Sequence, residues 1–150
     1  MKAFTCSFFG HRDFCGSSEH YSKLYSLVKE LLQKHEYVDF LVGRNGEFDR
    51  FAASVVHSFK VENCSLTLVL PYLTADFSRN MAAYENYYDH IEIYERSACA
   101  HFKGAIGICN RYIADRSDLI ICCIERDNGG AYSAVRYAVK SGKPVINLSE

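Results

Sequence analysis

A strand, a tight turn and a helix follow one another in the segment Val42-Gly43-Arg44-Asn45-Gly46-Glu47-Phe48-Asp49-Arg50-Phe51-Ala52-Ala53. An apolar run over residues 38–42 stops at Gly43. Apolar residues then recur at three- and four-residue spacing, which predicts one buried face of a helix: Phe48, Phe51, Ala52, Val55, Val56 and Phe59. A glycine turn lets the backbone approach a ligand, and a helix start favours phosphate through its free N–H groups. An ordinary turn with Asn45, Glu47 and Asp49 as capping and first-turn residues fits the same pattern, and both interpretations stay open.

The alternation of strands and helices continues on both sides of this segment. Strand-like runs cover residues 3–9, 38–42, 64–70, 119–124 and 145–148, with helical patterns between most of them. Such alternation predicts an α/β fold, a three-layer α/β/α sandwich with a mostly parallel sheet, in one domain over residues 1–150. Residues 72–100 have the weakest pattern, which suggests a helix over 78–87 and a short edge strand over 91–94.

Three polar, glycine-bearing turns fall where predicted strands end or the last helix begins. The carboxyl ends of parallel strands meet at one edge of a sheet, where ligands bind when the strand order reverses. We therefore expect a ligand site built from Gly10, His11, Arg12, Gly43, Arg44, Asn45, Gly46, Gly129, Gly130 and Ser133. Gly129, Gly130 and Ser133 begin the last helix and are the strongest candidates for phosphate binding. Arg12 and Arg44 can clamp a phosphate or stack on a base, although solvated surface arginines fit equally well.

Charge and cysteine content restrict the partners. Seventeen Lys and Arg residues stand against eighteen Asp and Glu residues, a net charge of −1, so no nucleic-acid or membrane partner is expected. The chain has seven cysteines. Their spacing contains no C-x-x-C pair, which predicts neither a disulfide framework nor a metal site and favours reduced thiols in the cytoplasm.

The motifs resemble those of the SLOG superfamily, particularly its short YpsA-like branch. The resemblance is carried by Phe9-Gly10-His11-Arg12, Gly43-Arg44-Asn45-Gly46-Glu47-Phe48-Asp49, Asn110-Arg111-Tyr112-Ile113, Ser117-Asp118, Gly129-Gly130, Tyr137-Ala138 and Gly142-Lys143-Pro144-Val145-Ile146-Asn147-Leu148. The superfamily includes the LOG phosphoribohydrolases and the Rossmann domain of DNA-processing protein A. The resemblance implies a Rossmann-like fold, a nucleotide or nucleotide-derived ligand at the sheet edge, and a homodimer. It implies no cofactor.

One motif departs from the LOG pattern Pro-Gly-Gly-x-Gly-Thr-x-x-Glu, whose glutamate is catalytic. When Gly129 and Gly130 are registered on its glycine pair, Tyr132 stands at the third glycine, Ser133 at the threonine and Arg136 at the glutamate. The catalytic carboxylate of that family is therefore replaced here by an arginine.

Three functions follow from these residues. The first is a nucleotide-binding or sensing module without chemistry of its own. The second is an N-glycosidase or phosphoribohydrolase that uses Glu47 or Asp49 as its catalytic carboxylate, because cleavage through an oxocarbenium-like sugar calls for one. The third is a regulatory protein-interaction adaptor whose contact surface is the tyrosine-rich segment 72–100.

Overall fold

The computed structural model describes residues 3–59 and 61–150 and contains a six-stranded sheet with helices on both faces. The strands are β1 (Phe4–Gly10), β2 (Val38–Val42), β3 (Cys64–Leu70), β4 (His90–Ile93), β5 (Leu119–Cys123) and β6 (Val145–Asn147). The helices are α1 (Ser18–Lys34), α2 (Glu47–His57), α3 (Ala75–Arg79), α4 (Met81–Tyr87), α5 (Glu95–Ala98), α6 (Phe102–Arg116) and α7 (Gly130–Lys140).

The sheet has the order β4-β3-β2-β1-β5-β6, and every neighbouring pair of strands is parallel. The α/β prediction of a three-layer sandwich is therefore confirmed, with a sheet that is wholly parallel. Its central strands are apolar on both faces, as parallel strands between two helix layers must be. In β1, for example, Phe8 packs into the layer with α1 and α2, and the next residue, Phe9, packs into the layer with α6 and α7.

The strand order reverses between β1 and β5. The chain runs from β1 to β2, β3 and β4 on one side, then crosses back to place β5 on the other side of β1. This reversal opens a crevice beyond the carboxyl ends of β1 and β5, the usual ligand position in open parallel sheets. Among the helices of the described residues, none is long and apolar enough to cross a membrane.

Residues 72–100 differ in detail from the predicted single helix and strand. The helix expected over 78–87 is two short helices, α3 and α4, that meet at Asn80. The side-chain amide of Asn80 donates to the backbone oxygen of Asp76 at 3.0 Å. This bond competes with the backbone hydrogen bonds that would continue the first helix. The predicted edge strand is β4, paired in parallel with β3, and the short helix α5 follows it.

Candidate functional site

A crevice of about 280 Å³ lies at the reversal of strand order. It is lined by the turns that follow β1 and β2, by α6, and by the β5–α7 connection: Phe9, Gly10, His11, Arg12, Asn45, Asp49, Ile106, Asn110, Arg126, Gly129, Gly130 and Ala131. The lining therefore includes seven of the residues that the sequence assigns to a ligand site or a catalytic carboxylate: Gly10, His11, Arg12, Asn45, Asp49, Gly129 and Gly130.

His11 connects the two sides of the crevice. Its Nε2 accepts the backbone N–H of Glu125 at 3.1 Å and that of Arg126 at 3.3 Å. An Nε2 that accepts two hydrogen bonds carries no proton, so the neutral ring is protonated on Nδ1. Burial, followed by the positive charge of Arg126, lowers the pKa of His11 and keeps the ring neutral. The histidine thus holds the β5–α7 connection against the end of β1.

Asp49 places a buried carboxylate in the first turn of α2, only 7% exposed. Its Oδ2 accepts the backbone N–H of Asn45 at 2.7 Å, so the side chain ties the turn to the helix that follows it. Burial raises the pKa of Asp49 to about 6, although the hydrogen bond from Asn45 acts in the opposite direction. The group is therefore close to half-protonated at a mildly acidic pH.

The N-terminus of α7 opens directly into the crevice. Gly129 occupies the N-cap position with φ of +95°, a conformation that favours glycine, and its helix has no side-chain cap. The first backbone hydrogen bond of the helix runs from the Ser133 N–H to the Gly129 oxygen at 3.1 Å. The amides before Ser133 have no acceptor inside the helix and carry its positive dipole end. A Cβ added at Gly129 or Gly130 would meet nothing within 4 Å, and both glycines line the crevice.

Gly10 and Gly46 lie where the turns after β1 and β2 pack closely against neighbouring residues, which leaves no room for a side chain. A Cβ at Gly10 would lie 2.1 Å from Cγ of Phe48, and one at Gly46 would lie 2.3 Å from Cα of Arg12. The Glu47 N–H also donates to the Arg12 oxygen at 2.9 Å. The turns after β1 and β2 are therefore packed against each other, and they form one wall of the crevice together.

Two arginines belong to the crevice. Arg12 donates from Nε to the Asn45 oxygen at 3.0 Å, which holds its stem along the turn after β2. Arg126 forms two hydrogen bonds with Asp13, at 2.8 and 3.1 Å, and both side chains are exposed to solvent. The guanidinium of Arg126 lowers the pKa of Asp13. A ligand anion would compete with Asp13 for this arginine.

The other residues predicted for the site lie outside the crevice lining. Arg44 sits over the ring of Tyr84, with Cζ 4.9 Å from the ring centroid, and Nε is 3.9 Å from Asp76. Glu47 is exposed and pairs with Arg50 at 3.4 Å. Four of the predicted ligand-binding residues therefore do not line the crevice: Gly43, Arg44, Gly46 and Ser133. The candidate catalytic carboxylate Glu47 does not line it either.

Two further cavities extend the crevice along the carboxyl edge of the sheet. One, of about 490 Å³, shares Arg12, Asn45 and Ile106 with the crevice. The next, of about 420 Å³, shares Arg44 and Tyr84 with the second cavity and is also lined by other tyrosines of α4 and its end. We call the three together the edge groove. Arg44, which the sequence places with the ligand site, belongs to this groove.

Sequence reasoning left two polar lining residues, Asn110 and Arg126, out of the ligand site. Asn110 is a buried polar side chain on α6, next to the buried Cys109. Its polarity inside an apolar helical stripe was the available signal. Arg126 lies in the turn directly after β5, and its position after a buried strand was the signal there.

The fold is shared with two solved structures. A DNA processing protein A from Helicobacter pylori, whose structure concerns single-stranded DNA binding, superposes with a TM-score of 0.67 at 18% identity. The DNA processing protein A from Streptococcus pneumoniae gives a TM-score of 0.67 at 13% identity. In each case 95% of this chain is covered, against 63% of the first protein and 49% of the second. This chain thus spans roughly half to two thirds of those structures, and the likeness establishes the Rossmann-like fold.

No protein-family model matches the chain, and no curated protein matches it in sequence.

Proposed function

We propose that the chain is a SLOG-type module that binds a nucleotide or nucleotide-derived ligand in the crevice between β1 and β5. The observation that carries this proposal is the N-terminus of α7, where Gly129 and Gly130 line the crevice with uncrowded Cβ positions and the first amides have no acceptor within the helix. Amides in this arrangement bind phosphate without an unusual side chain. Arg12 and Arg126 line the same crevice and supply positive charge.

The remaining lining suits the sugar of such a ligand. An ionised Asp49 would repel a phosphate, so its carboxylate is better matched to ribose hydroxyls, which donate hydrogen bonds to it. Asn110 adds an amide that both donates and accepts. A volume of about 280 Å³ lies just below the usual range for small-molecule sites, so the crevice suits a ribose phosphate and leaves the base to the rest of the edge groove.

Titration calorimetry with nucleoside monophosphates and dinucleotides tests this proposal. Gly130→Val should weaken binding about tenfold or more, because its side chain would narrow the crevice that Gly130 lines at the helix start. Gly104→Val is the matched control, since a Cβ at Gly104 also meets nothing within 4 Å but lies on the exposed part of α6. Equal affinity of Gly130→Val and Gly104→Val for the nucleotide would show that the phosphate does not bind at this helix end.

An N-glycosidase remains the alternative, and one observation favours it. A buried carboxylate with a pKa of about 6 is well suited to general acid–base catalysis near neutral pH, and Asp49 is such a group. Arg136, which stands at the position of the LOG glutamate, is exposed and bonds Tyr132 at 2.8 Å. Proton NMR of nucleotide mixtures distinguishes the two proposals, since cleavage releases free base. Asp49→Asn should then abolish release, whereas Glu47→Gln should leave it intact.

Single-stranded DNA is a second candidate ligand. The chain carries a net charge of −1, yet Arg12, Arg44 and Arg50 line the edge groove beside several tyrosines. Arginine and aromatic side chains along one groove are typical of single-strand binding. The Helicobacter pylori protein with the same fold is associated with single-stranded DNA. Fluorescence anisotropy with a labelled oligothymidine tests this candidate, and Arg44→Ala should weaken salt-sensitive binding. Absence of binding at low salt would exclude it.

A further inference from the structure

Three potential metal ligands from distant parts of the sequence meet at residues that do not line the crevice. His20 lies in the first turn of α1, Cys123 ends β5, and Glu125 lies two residues farther along. One ligand atom from each lies within 4.8 Å of the other two. The Nε2 of His20 and the Sγ of Cys123 are 3.8 Å apart, although 103 positions separate them in the chain. The spacing of cysteines along the sequence cannot predict such a group, because its members come close only in the folded chain.

The distances suit a tetrahedral zinc ion. Zinc binds imidazole nitrogen and carboxylate oxygen at about 2.0–2.2 Å and thiolate sulfur at about 2.3 Å, so two such ligands lie roughly 3.3–3.8 Å apart. The His20–Cys123 separation already falls at this value, and Glu125 is exposed, so its side chain is free to rotate inward. We propose that His20, Cys123 and Glu125 bind a zinc ion.

The chemistry of the three groups selects among metals. A thiolate sulfur is a poor ligand for Mg²⁺ and Ca²⁺, which prefer oxygen, whereas a set of sulfur, nitrogen and oxygen suits Zn²⁺. One thiolate and one carboxylate balance the charge of a divalent ion. Three protein ligands leave one tetrahedral position, which water fills in zinc sites of this type.

Ser17 is placed to orient the histidine. Nδ1 of His20 lies 3.1 Å from the Ser17 hydroxyl and 3.2 Å from the Ser17 backbone nitrogen. In the metal-bound form Nε2 gives its lone pair to zinc, and Nδ1 then carries the proton and donates it to the Ser17 hydroxyl. Ligating histidines commonly make this kind of second hydrogen bond. The backbone N–H of Ser17 donates to Nδ1 in the metal-free chain, and this hydrogen bond is lost when Nδ1 carries the proton.

Zinc binding must displace a proton from the cysteine. The metal takes the thiolate form of Cys123, and the proton of the thiol goes to solvent.

Cobalt titration of the reduced protein tests the site, because a thiolate bound to Co²⁺ gives a near-ultraviolet charge-transfer band. The wild-type chain should bind one Co²⁺ with this band, and one equivalent of Zn²⁺ should abolish it. Cys123→Ser should remove the band. Cys99→Ser is the matched control among the seven cysteines, since Cys99 is exposed and outside the cluster, and it should leave the band unchanged.

Two further variants keep the test independent of the buried cysteine. His20→Asn and Glu125→Gln preserve the thiol, and each should weaken Co²⁺ binding about tenfold or more. Circular dichroism establishes that each variant is folded. The proposal is overturned when the wild type gives no band, when Cys123→Ser keeps it, or when neither His20→Asn nor Glu125→Gln changes the affinity.

Discussion

His11 Nε2 lies 3.1 Å from the backbone nitrogen of Glu125, which joins the end of β1 to the residues after β5. The same nitrogen atom of the ring accepts the amide of Arg126. His11, which the sequence predicts to face a ligand, therefore also holds the β5–α7 connection in place on the other side of the crevice. The shape of the crevice depends on this contact, because Arg126 and the glycines that begin α7 follow directly along the chain.

His11→Ala should destabilise the protein by about 1–3 kcal/mol at pH 7, because two backbone amides lose their acceptor. His90→Ala, at an exposed histidine, should change little. Urea unfolding measures both. The folded-state pKa of His11 lies below its ordinary value of 6.5, so its contribution is present above pH 6.5 and is lost as the pH falls below that value. His11→Ala should therefore flatten the stability profile below pH 6.5, and an unchanged profile would contradict the neutral ring.

Asp49→Asn should stabilise the protein above pH 6. The folded-state pKa of Asp49 is about 6 against an ordinary value of 3.8, so the native state binds this proton more tightly than the unfolded chain. Stability from this group is complete below pH 3.8 and is lost as the pH rises through about 6. The difference between the folded-state and the ordinary pKa of Asp49 corresponds to about 3 kcal/mol in the free energy of unfolding at pH 8.

Thermal or urea unfolding at pH 4 and pH 8 measures this effect. The side-chain amide oxygen introduced by Asp49→Asn can still accept the backbone N–H of Asn45, so this substitution keeps the turn intact. Glu47→Gln, at the exposed neighbouring carboxylate, serves as control and should leave the profile unchanged. Equal stability of the wild type and Asp49→Asn at pH 8 would show that the carboxylate is better solvated than its burial indicates.

Gly10→Ala should destabilise the fold by about 1–3 kcal/mol or more through overpacking, because its Cβ would lie 2.1 Å from the Phe48 ring. Gly104→Ala adds the same methyl group in open space inside α6 and should stabilise by up to about 1 kcal/mol. Denaturant unfolding compares the two variants. A tolerated Gly10→Ala would mean that the turn after β1 can move away from α2.

If the crevice binds a nucleotide as proposed, Arg126→Ala should weaken binding about tenfold or more, since the proposed hydrogen bond to the charged phosphate would be lost. Asp13→Asn should instead tighten binding by about two- to fivefold, because it frees the arginine from its exposed partner. Calorimetry at two salt concentrations measures both effects. Changes in the same direction for the two variants would place the ligand phosphate elsewhere.

The layers of the fold follow from the sequence, but side-chain partners follow only in part. Local periodicity is sufficient for the βαβ order and for the open helix start at Gly130. It does not determine which face of α2 meets the crevice, so Glu47 and Asp49 look equivalent in sequence although only Asp49 is buried. Gly46 likewise reads as a ligand-facing glycine, whereas its nearest neighbour is Arg12. Arg44 rests on Tyr84, whose segment has the weakest pattern in the chain.

The distance along the chain between His11 and Glu125 also has a consequence for biosynthesis. The two residues are 114 positions apart. At the usual ribosomal rate of 5–20 residues per second, roughly 6–23 s pass between their appearances. During this time β1 can pair with β2, but its other edge waits for β5 and exposes unpaired backbone groups. The nascent chain is therefore open to aggregation along the edge of β1 on which β5 later pairs.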